Sequence, residues 1–305
     1  MSYAPDDLHQ TPDLWFTQQL ELDPIWVQSR LRAILTEDIT EGDWSSLSCV
    51  AEDATAEAFL VANQPLVFAG AAVLAALPEM HDFGPLHCEA VLQDGQQVNA
   101  GQTLARLSGA ARALLSCERV LLNLLQRLCG IATLTHRYTQ LDLPPGFKIL
   151  DTRKTTPGLR RFEKYAVAVG GGYNHRLDLS HVLMLKDNHL VAAGGLAAAL
   201  KRTRAAYPDK YLELEVDTLE QLDQALATGG FDALLLDNMS PETIREAVAR
   251  VRQHPDYGLR IFLEASGGIT YDSLPAYAWT GVNGISVGAL TTQAQNRDIK
   301  LEFTA

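Results

Sequence analysis

The chain is predicted to be an α/β protein in which a parallel sheet or barrel follows a small α+β domain. Two observations predict this. From about residue 146, short apolar runs alternate with amphipathic helical stretches, the trace left by βαβ units. Before that, from Thr55 to Leu107, the signals are short strands and tight turns. With 305 residues, 47% of them hydrophobic, the chain can bury a large core as one or two domains.

The elements follow in order. The first two dozen residues are polar and acidic; Pro24 then opens a helix through Leu35, and EDITEGDWSS at 37–46 reads as a loop. AEAFLVAN, PLVFAG, LHCEAVLQDGQQV and QTLARLSG supply strands, with turn chemistry at Asp94-Gly95 and Gly101 and a helix at AAVLAALPEM. The segment around Asp94 has the look of a lipoyl or biotinyl hairpin, but no lysine sits at its turn, so a structural sheet is expected. Leu114, Leu115, Val120, Leu121, Leu124, Leu125 and Leu128 recur near a 3.6-residue period and predict a long helix within 110–140, broken or kinked at Gly130. Beyond it FKIL, HVLML, YLELEV, ALLL, RIFLEA and GISV are strands. Helices GLAAALKRTRAAY, TLEQLDQALATG and PETIREAVARVRQ separate them, with N-caps at Asp217-Thr218 and Ser240 and Pro241 at a first helical position.

Each of these strands runs into a polar or glycine residue: Asp151, Lys186, Glu215, Asp237, Ser266 and Gly288. In a barrel those ends share one face, where active sites are built. The run 147–189 sharpens the point. It holds eight cations against four anions, in a chain whose formal charge is −12. Arg153, Lys154, His175, Arg176 and Lys186 make one side of the rim cationic, and Glu215 and Asp237 make the other acidic. Arginines bind carboxylates in pairs of hydrogen bonds, lysines act as point charges, and glycine turns such as Ser266-Gly267-Gly268 and Gly288 close on phosphates. Two carboxylates beside a polyphosphate suit magnesium or ribose hydroxyls. The expected ligands are a small anionic molecule and a sugar phosphate, joined with loss of pyrophosphate.

Composition excludes other classes. The acidic balance argues against a nucleic-acid partner. Cys49, Cys88, Cys117 and Cys129 show no metal or disulfide spacing and read as reduced buried thiols. No signal peptide and no membrane span are expected, which leaves the cytoplasm as the default compartment. Arg160, Arg161, Glu163 and Lys164 read as a solvated helical face, and His189 as the holder of a turn.

Eight motifs in order resemble quinolinate phosphoribosyltransferase, the carboxylating nicotinate-nucleotide pyrophosphorylase family. They are EDITEGD (37–43), ERVLLNLLQRLCGIAT (118–133), DTRKTTPGLR (151–160), GGGYNHR (170–176), LKDNH (185–189), EVDTLEQ (215–221), LLDN (235–238) and EASGGI (264–269). The resemblance implies an incomplete seven-stranded α/β barrel over 123–291 and an N-terminal α+β sandwich over 1–122, on which 292–305 packs back. It implies transfer of phosphoribosyl from phosphoribosyl pyrophosphate to quinolinate with decarboxylation, on the de novo route to NAD. Arg153, His175 and Arg176 match holders of the quinolinate carboxylates. Thr152 belongs to the same substrate-binding motif, and Lys154 and Lys186 match lysines near the carboxylates and pyrophosphate. Glu215 and Asp237 match acids near the ribose and a magnesium ion, and Ser266, Gly267 and Gly288 match the 5′-phosphate turns. Arg119 matches an arginine that enters the neighbouring subunit's site, which implies a homodimer.

The chain departs from the usual family pattern at DWSS (43–46) and at LDLSH (177–181), placing Asp178 and His181 near the anion site. The altered residues after Arg176 keep open a same-fold paralogue with a different acceptor, and a non-catalytic sensor of aromatic acids or phosphosugars is a further alternative from another class. The acids Glu215 and Asp237 weigh against the sensor.

Overall fold

The computed structural model describes residues 20–80, 84–258 and 260–304. The chain forms two compact units, one of Gln18–Arg137, Thr155–Gly171 and Leu290–Ala305, the other centred on Tyr138–Lys154 and Gly172–Ala289.

The first unit is antiparallel. Helix α1 (Pro24–Asp38) starts where the Asp23 carboxylate accepts the Trp26 amide at 2.8 Å, and Pro24 fits the first turn because its missing N–H needs no partner there. The stretch expected to be a loop at 37–46 is shorter than that. Asp43 caps a second helix, α2 (Trp44–Cys49), through the Ser46 amide, so the departure from the family pattern at DWSS supplies a helix start. Strands β1 (Thr55–Ala62), β3 (Leu86–Ala90) and β5 (Thr103–Ala110) follow, with the short pair β2 (Leu66–Val67) and β4 (Gln97–Val98) and helix α3 (Ala71–Ala76) between them. The four-stranded sheet runs β12-β1-β5-β3, where β12 (Ile299–Phe303) pairs antiparallel with β1. The Asp94-Gly95 turn takes positive φ at the glycine, and the Asp94 carboxylate accepts the amides of Gly70 and Ala71.

Helix α4 (Ala111–Thr139) is continuous, and Gly130 does not interrupt it. Its glycine answers a packing need: a Cβ there would lie 2.3 Å from the Gln295 backbone oxygen. Helix α5 (Arg160–Val169) also differs from the expected solvated face. Phe162, Glu163, Lys164 and Tyr165 are all buried, while Arg161 is exposed. Glu163 is buried because it is fully engaged. Its Oε1 accepts Arg127 Nε at 3.0 Å, Arg127 Nη2 at 2.9 Å and the Thr156 hydroxyl at 2.7 Å, and its Oε2 accepts the Thr156 amide at 3.1 Å. Of the cysteines, Cys117 and Cys129 are buried as expected, whereas Cys49 is exposed.

The second unit is a parallel sheet of six strands in the order β6-β11-β10-β9-β8-β7. They are β6 (Lys148–Leu150), β7 (Leu183–Leu185), β8 (Leu212–Val216), β9 (Ala233–Asp237), β10 (Phe262–Ser266) and β11 (Gly284–Ser286). Beyond β6 the next position is taken by Tyr173, joined to Leu150 by a single parallel bridge. Helices α6 (Asp187–Ala193) and α7 (Leu196–Ala206) both follow β7, and α8 (Leu219–Thr228), α9 (Pro241–Gln253), α10 (Leu274–Ala278) and α11 (Ala289–Thr292) follow β8, β9, β10 and β11 in turn. Thr218 and Ser240 cap α8 and α9 through the amides of Gln221 and Thr243. His189 holds the turn after β7, where its Nδ1 accepts the Lys186 amide at 3.0 Å. Among the described residues no helix is long and apolar enough to cross a membrane.

The residue pairs across the ladders put every second residue of each strand on one face. On that face Val182, Ala233 and Phe262 form an apolar cluster with Leu150, against which Tyr173 and Tyr211 pack. Two residues further along come Met184, Glu213, Leu235, Glu264 and Ser286, and two further still Lys186, Glu215, Asp237, Ser266 and Gly288.

Substituting Gly130→Ala is expected to destabilise the protein by about 1–3 kcal/mol, although alanine is the better helix former, because the neighbouring backbone leaves no room. Chemical denaturation of the two proteins checks this.

Candidate active site

The carboxyl ends of the parallel strands surround a cavity of about 350 Å³. Thr152, Arg153, Lys154, His175, Arg176, Lys186, Glu215, Asp237 and Ser266 line it, together with Met184, Leu235, Glu264 and Ser286. Nine of the sequence-derived site residues are thereby brought to one place. Gly288 stands beside it, since a Cβ there would lie 3.1 Å from Lys154 Cδ. Gly267 shapes the adjoining turn. It has φ +95°, and a Cβ would lie 2.3 Å from Asn238 Oδ1. Asn238 itself has φ 54°, the single non-glycine positive value among the described residues. Its side chain donates to Asp237 Oδ2 at 2.6 Å and its amide donates to the Ser266 carbonyl at 3.0 Å, which ties the ends of β9 and β10 together.

The cationic side is built on two loops joined by Asp151. This carboxylate is fully buried and accepts the His175 amide at 2.8 Å and the Asn174 side chain at 2.7 Å. The loop carrying Arg176 is thus fastened to the strand end carrying Arg153. Thr152 accepts the Lys154 amide at 3.0 Å and sets the course of that second loop. Arg176 is buried and its Nη1 donates to the Val182 carbonyl at 3.2 Å. Burial lowers its pKa, as does the positive charge of Arg153, while Glu213, Glu215 and Asp178 oppose the shift. The departures at 177–181 form a local turn: Asp178 accepts the amides of Ser180 and His181, and His181 Nδ1 accepts the Leu177 amide.

The acidic side is Glu215, which pairs with Lys186, and the half-buried Asp237. Beneath these lie two further acids. Glu213 and Glu264 are fully buried, and His175 Nε2 lies 3.1 Å from Glu213 Oε2 and 3.6 Å from Glu264 Oε2. Burial pushes both carboxyls up to about 8; Arg176 and Lys186 pull Glu213 back, while the Glu213 charge pushes Glu264 further. Sequence reasoning passed over Glu264, Met184, Leu235 and Ser286. The signal was the strand period of two: each stands two positions before a rim residue. Glu213 stands two positions before Glu215 on β8 and so shares its face.

Arg119 lies elsewhere. It is exposed and lines a second cavity, of about 390 Å³, wholly within the antiparallel unit with Arg30, Asn123, Arg127 and the turn Thr156–Leu159.

A parallel α/β sheet whose strand ends crowd cations on one side and carboxylates on the other has the makings of an enzyme for small polyanions. Residues 43–129 match the quinolinate phosphoribosyl transferase N-terminal domain and residues 131–302 the C-terminal domain. The chain belongs to that family. It is 43% identical over 277 residues to the probable nicotinate-nucleotide pyrophosphorylase [carboxylating] of Bacillus subtilis, covering 90% of this chain and 92% of the relative. It is 39% identical to the corresponding Mycobacterium leprae protein, covering 90% and 95%. The solved structure of the nicotinate-nucleotide pyrophosphorylase from Francisella tularensis superimposes with a TM-score of 0.84 at 35% identity, covering 94% of this chain and 100% of that one.

The raised Glu264 carboxyl makes stability pH-dependent. A folded-state pKa above the unfolded value favours the fold at low pH and penalises it as pH rises from about 4.5 to about 8. Glu264→Gln removes that penalty. Relative to the parent it is expected to gain about 1–3 kcal/mol at pH 8 and close to nothing at pH 4.5. Urea unfolding at both pH values measures the difference.

Proposed function

We propose that this chain transfers the phosphoribosyl group of phosphoribosyl pyrophosphate to the ring nitrogen of quinolinate, with loss of carbon dioxide, and yields nicotinate mononucleotide and pyrophosphate. The observation that carries this reading is the pairing of buried Arg176 with Arg153 in one cavity opposite Glu215 and Asp237. A pair of guanidiniums held together against their repulsion suits a ligand with two carboxylates. A single carboxylate does not require so many cations.

The chemistry follows from the charges. As the bond from the sugar to pyrophosphate lengthens, the ribose ring becomes electron-poor, and Glu215 and Asp237 stabilise that charge where it develops. Lys154 and Lys186 steady the departing pyrophosphate, and Ser266 with the Gly267 and Gly288 turns receives the 5′-phosphate. His175 borders the acid-binding wall. Once the ring nitrogen is quaternary, its positive charge stabilises the electron pair left on the neighbouring ring carbon when the carboxylate departs as carbon dioxide, and a proton then takes the carboxylate's place on that carbon. Glu215 and Asp237 offer hard oxygen donors in one cavity, a donor set that fits magnesium. The ion would neutralise charge on the pyrophosphate. The protein acts as a homodimer in this reading, with Arg119 serving the neighbouring chain's site.

Incubation with quinolinate, phosphoribosyl pyrophosphate and magnesium is expected to release carbon dioxide and pyrophosphate in equal amounts, and Arg153→Ala with Arg176→Ala to remove at least about 3 kcal/mol of transition-state binding. Nicotinate in place of quinolinate is expected to be a poor acceptor. Substantial turnover by the double variant would refute the assignment.

For the dimer, Arg119→Ala and Lys154→Ala are each expected to be inactive alone. Mixing them after dissociation is expected to restore activity, because a mixed dimer contains one intact site. Absence of recovery in a verified mixed dimer would place Arg119 outside the reaction.

A further inference from the structure

We propose that Glu213 is a positioning residue: next to a second buried acid, Glu264, it accepts the Nε2–H of a neutral His175 and so holds Arg176 in the acid-binding wall of the cavity. The proposal rests on the reading that the cavity binds quinolinate.

The two carboxyls come from different strands, β8 and β10, and both are fully buried. Removing carboxyls from water is unfavourable unless their surroundings use them. What they share is His175, whose Nε2 lies within 3.1 Å of one and 3.6 Å of the other. The three ligating atoms lie within 4.8 Å of one another, a spacing that also suits a metal ion. The tautomer decides between the two. His175 Nδ1 accepts the Arg176 amide N–H at 2.7 Å, so that nitrogen carries no proton. The neutral ring must then carry its proton on Nε2, and a protonated nitrogen is a donor to a carboxylate and no metal ligand.

The ring is therefore a strut. Its Nε2 end is fixed in the strand face by Glu213, with Glu264 3.6 Å away, and its Nδ1 end receives the backbone amide of Arg176. The backbone amide of His175 itself donates to Asp151 at 2.8 Å, so the loop is held from both sides. Arg176 needs this hold because the charge of Arg153 works against it. Removing the acceptor for Nε2–H frees the ring to turn, releases the Arg176 amide and loosens the guanidinium. The effect belongs to binding of the acid, because phosphoribosyl pyrophosphate is held by other groups.

Two measurements test this. In the wild-type protein, long-range 1H–15N NMR of the histidines is expected to show His175 as the Nε2–H tautomer; a protonated Nδ1 overturns the proposal without any variant. In kinetics, Glu213→Leu is expected to raise KM for quinolinate about tenfold while kcat and KM for phosphoribosyl pyrophosphate change less than about threefold. Glu213→Gln keeps an acceptor oxygen and is expected to stay near wild type. Unchanged quinolinate KM in folded Glu213→Leu overturns the proposal. Equal collapse of all constants in the Leu and Gln variants overturns it too, since that marks a merely structural role. Calorimetry separates the two readings. Wild-type protein that neither binds nor converts quinolinate condemns the functional reading, with the tautomer still decided by NMR. Equal quinolinate binding by wild type and Glu213→Leu condemns this one.

Discussion

The structure of the site depends on keeping positive charges close together before any anion arrives. Arg153, Lys154, Arg176 and Lys186 line a single cavity, and each repels the others. The protein offsets this from within. Lys186 is paired with Glu215, the Arg176 charge is supported by Glu213, Glu215 and Asp178, and Asp151 joins the loops that carry Arg153 and Arg176. Arrangements of this kind cost folding stability and return it as affinity for a ligand that neutralises them.

Strand geometry places these charges economically. One face of the parallel sheet passes from Val182, Ala233 and Phe262 through Glu213 and Glu264 to Lys186, Glu215, Asp237 and Ser266. Apolar contacts fix the strands at one end, and polar groups with restricted freedom occupy the other. Asn238 after β9 and Gly267 after β10, both at positive φ, meet closely; their contact sets the spacing of two rim positions and tolerates little else.

Much of this was legible in the sequence, for physical reasons. Apolar strands ending in Asp237, Lys186 and Ser266 announce themselves because a loop begins where burial stops. The caps at Thr218 and Ser240 are equally local. The rest depended on partners distant in sequence. Glu163 and Lys164 look like surface residues beside Arg160 and Arg161, and only the approach of Arg127 and Thr156 makes burial of Glu163 acceptable. Gly130 looks like a helix breaker until the Gln295 backbone is seen against it. Glu264 sits in an otherwise apolar strand, where alternation could have flagged it as inward but nothing local reveals the imidazole it meets.

One pairing has a consequence for how the protein is made. Strand β1 is covered along one edge by β12, which lies almost a whole described sequence later. During synthesis on the ribosome that edge stays bare until Ile299–Phe303 emerges, long after β1, β3 and β5 are available to pair. A nascent chain in that interval presents unpaired amides and carbonyls to its surroundings. Chaperone attention, translation speed and the fate of prematurely terminated products all bear on that one open edge.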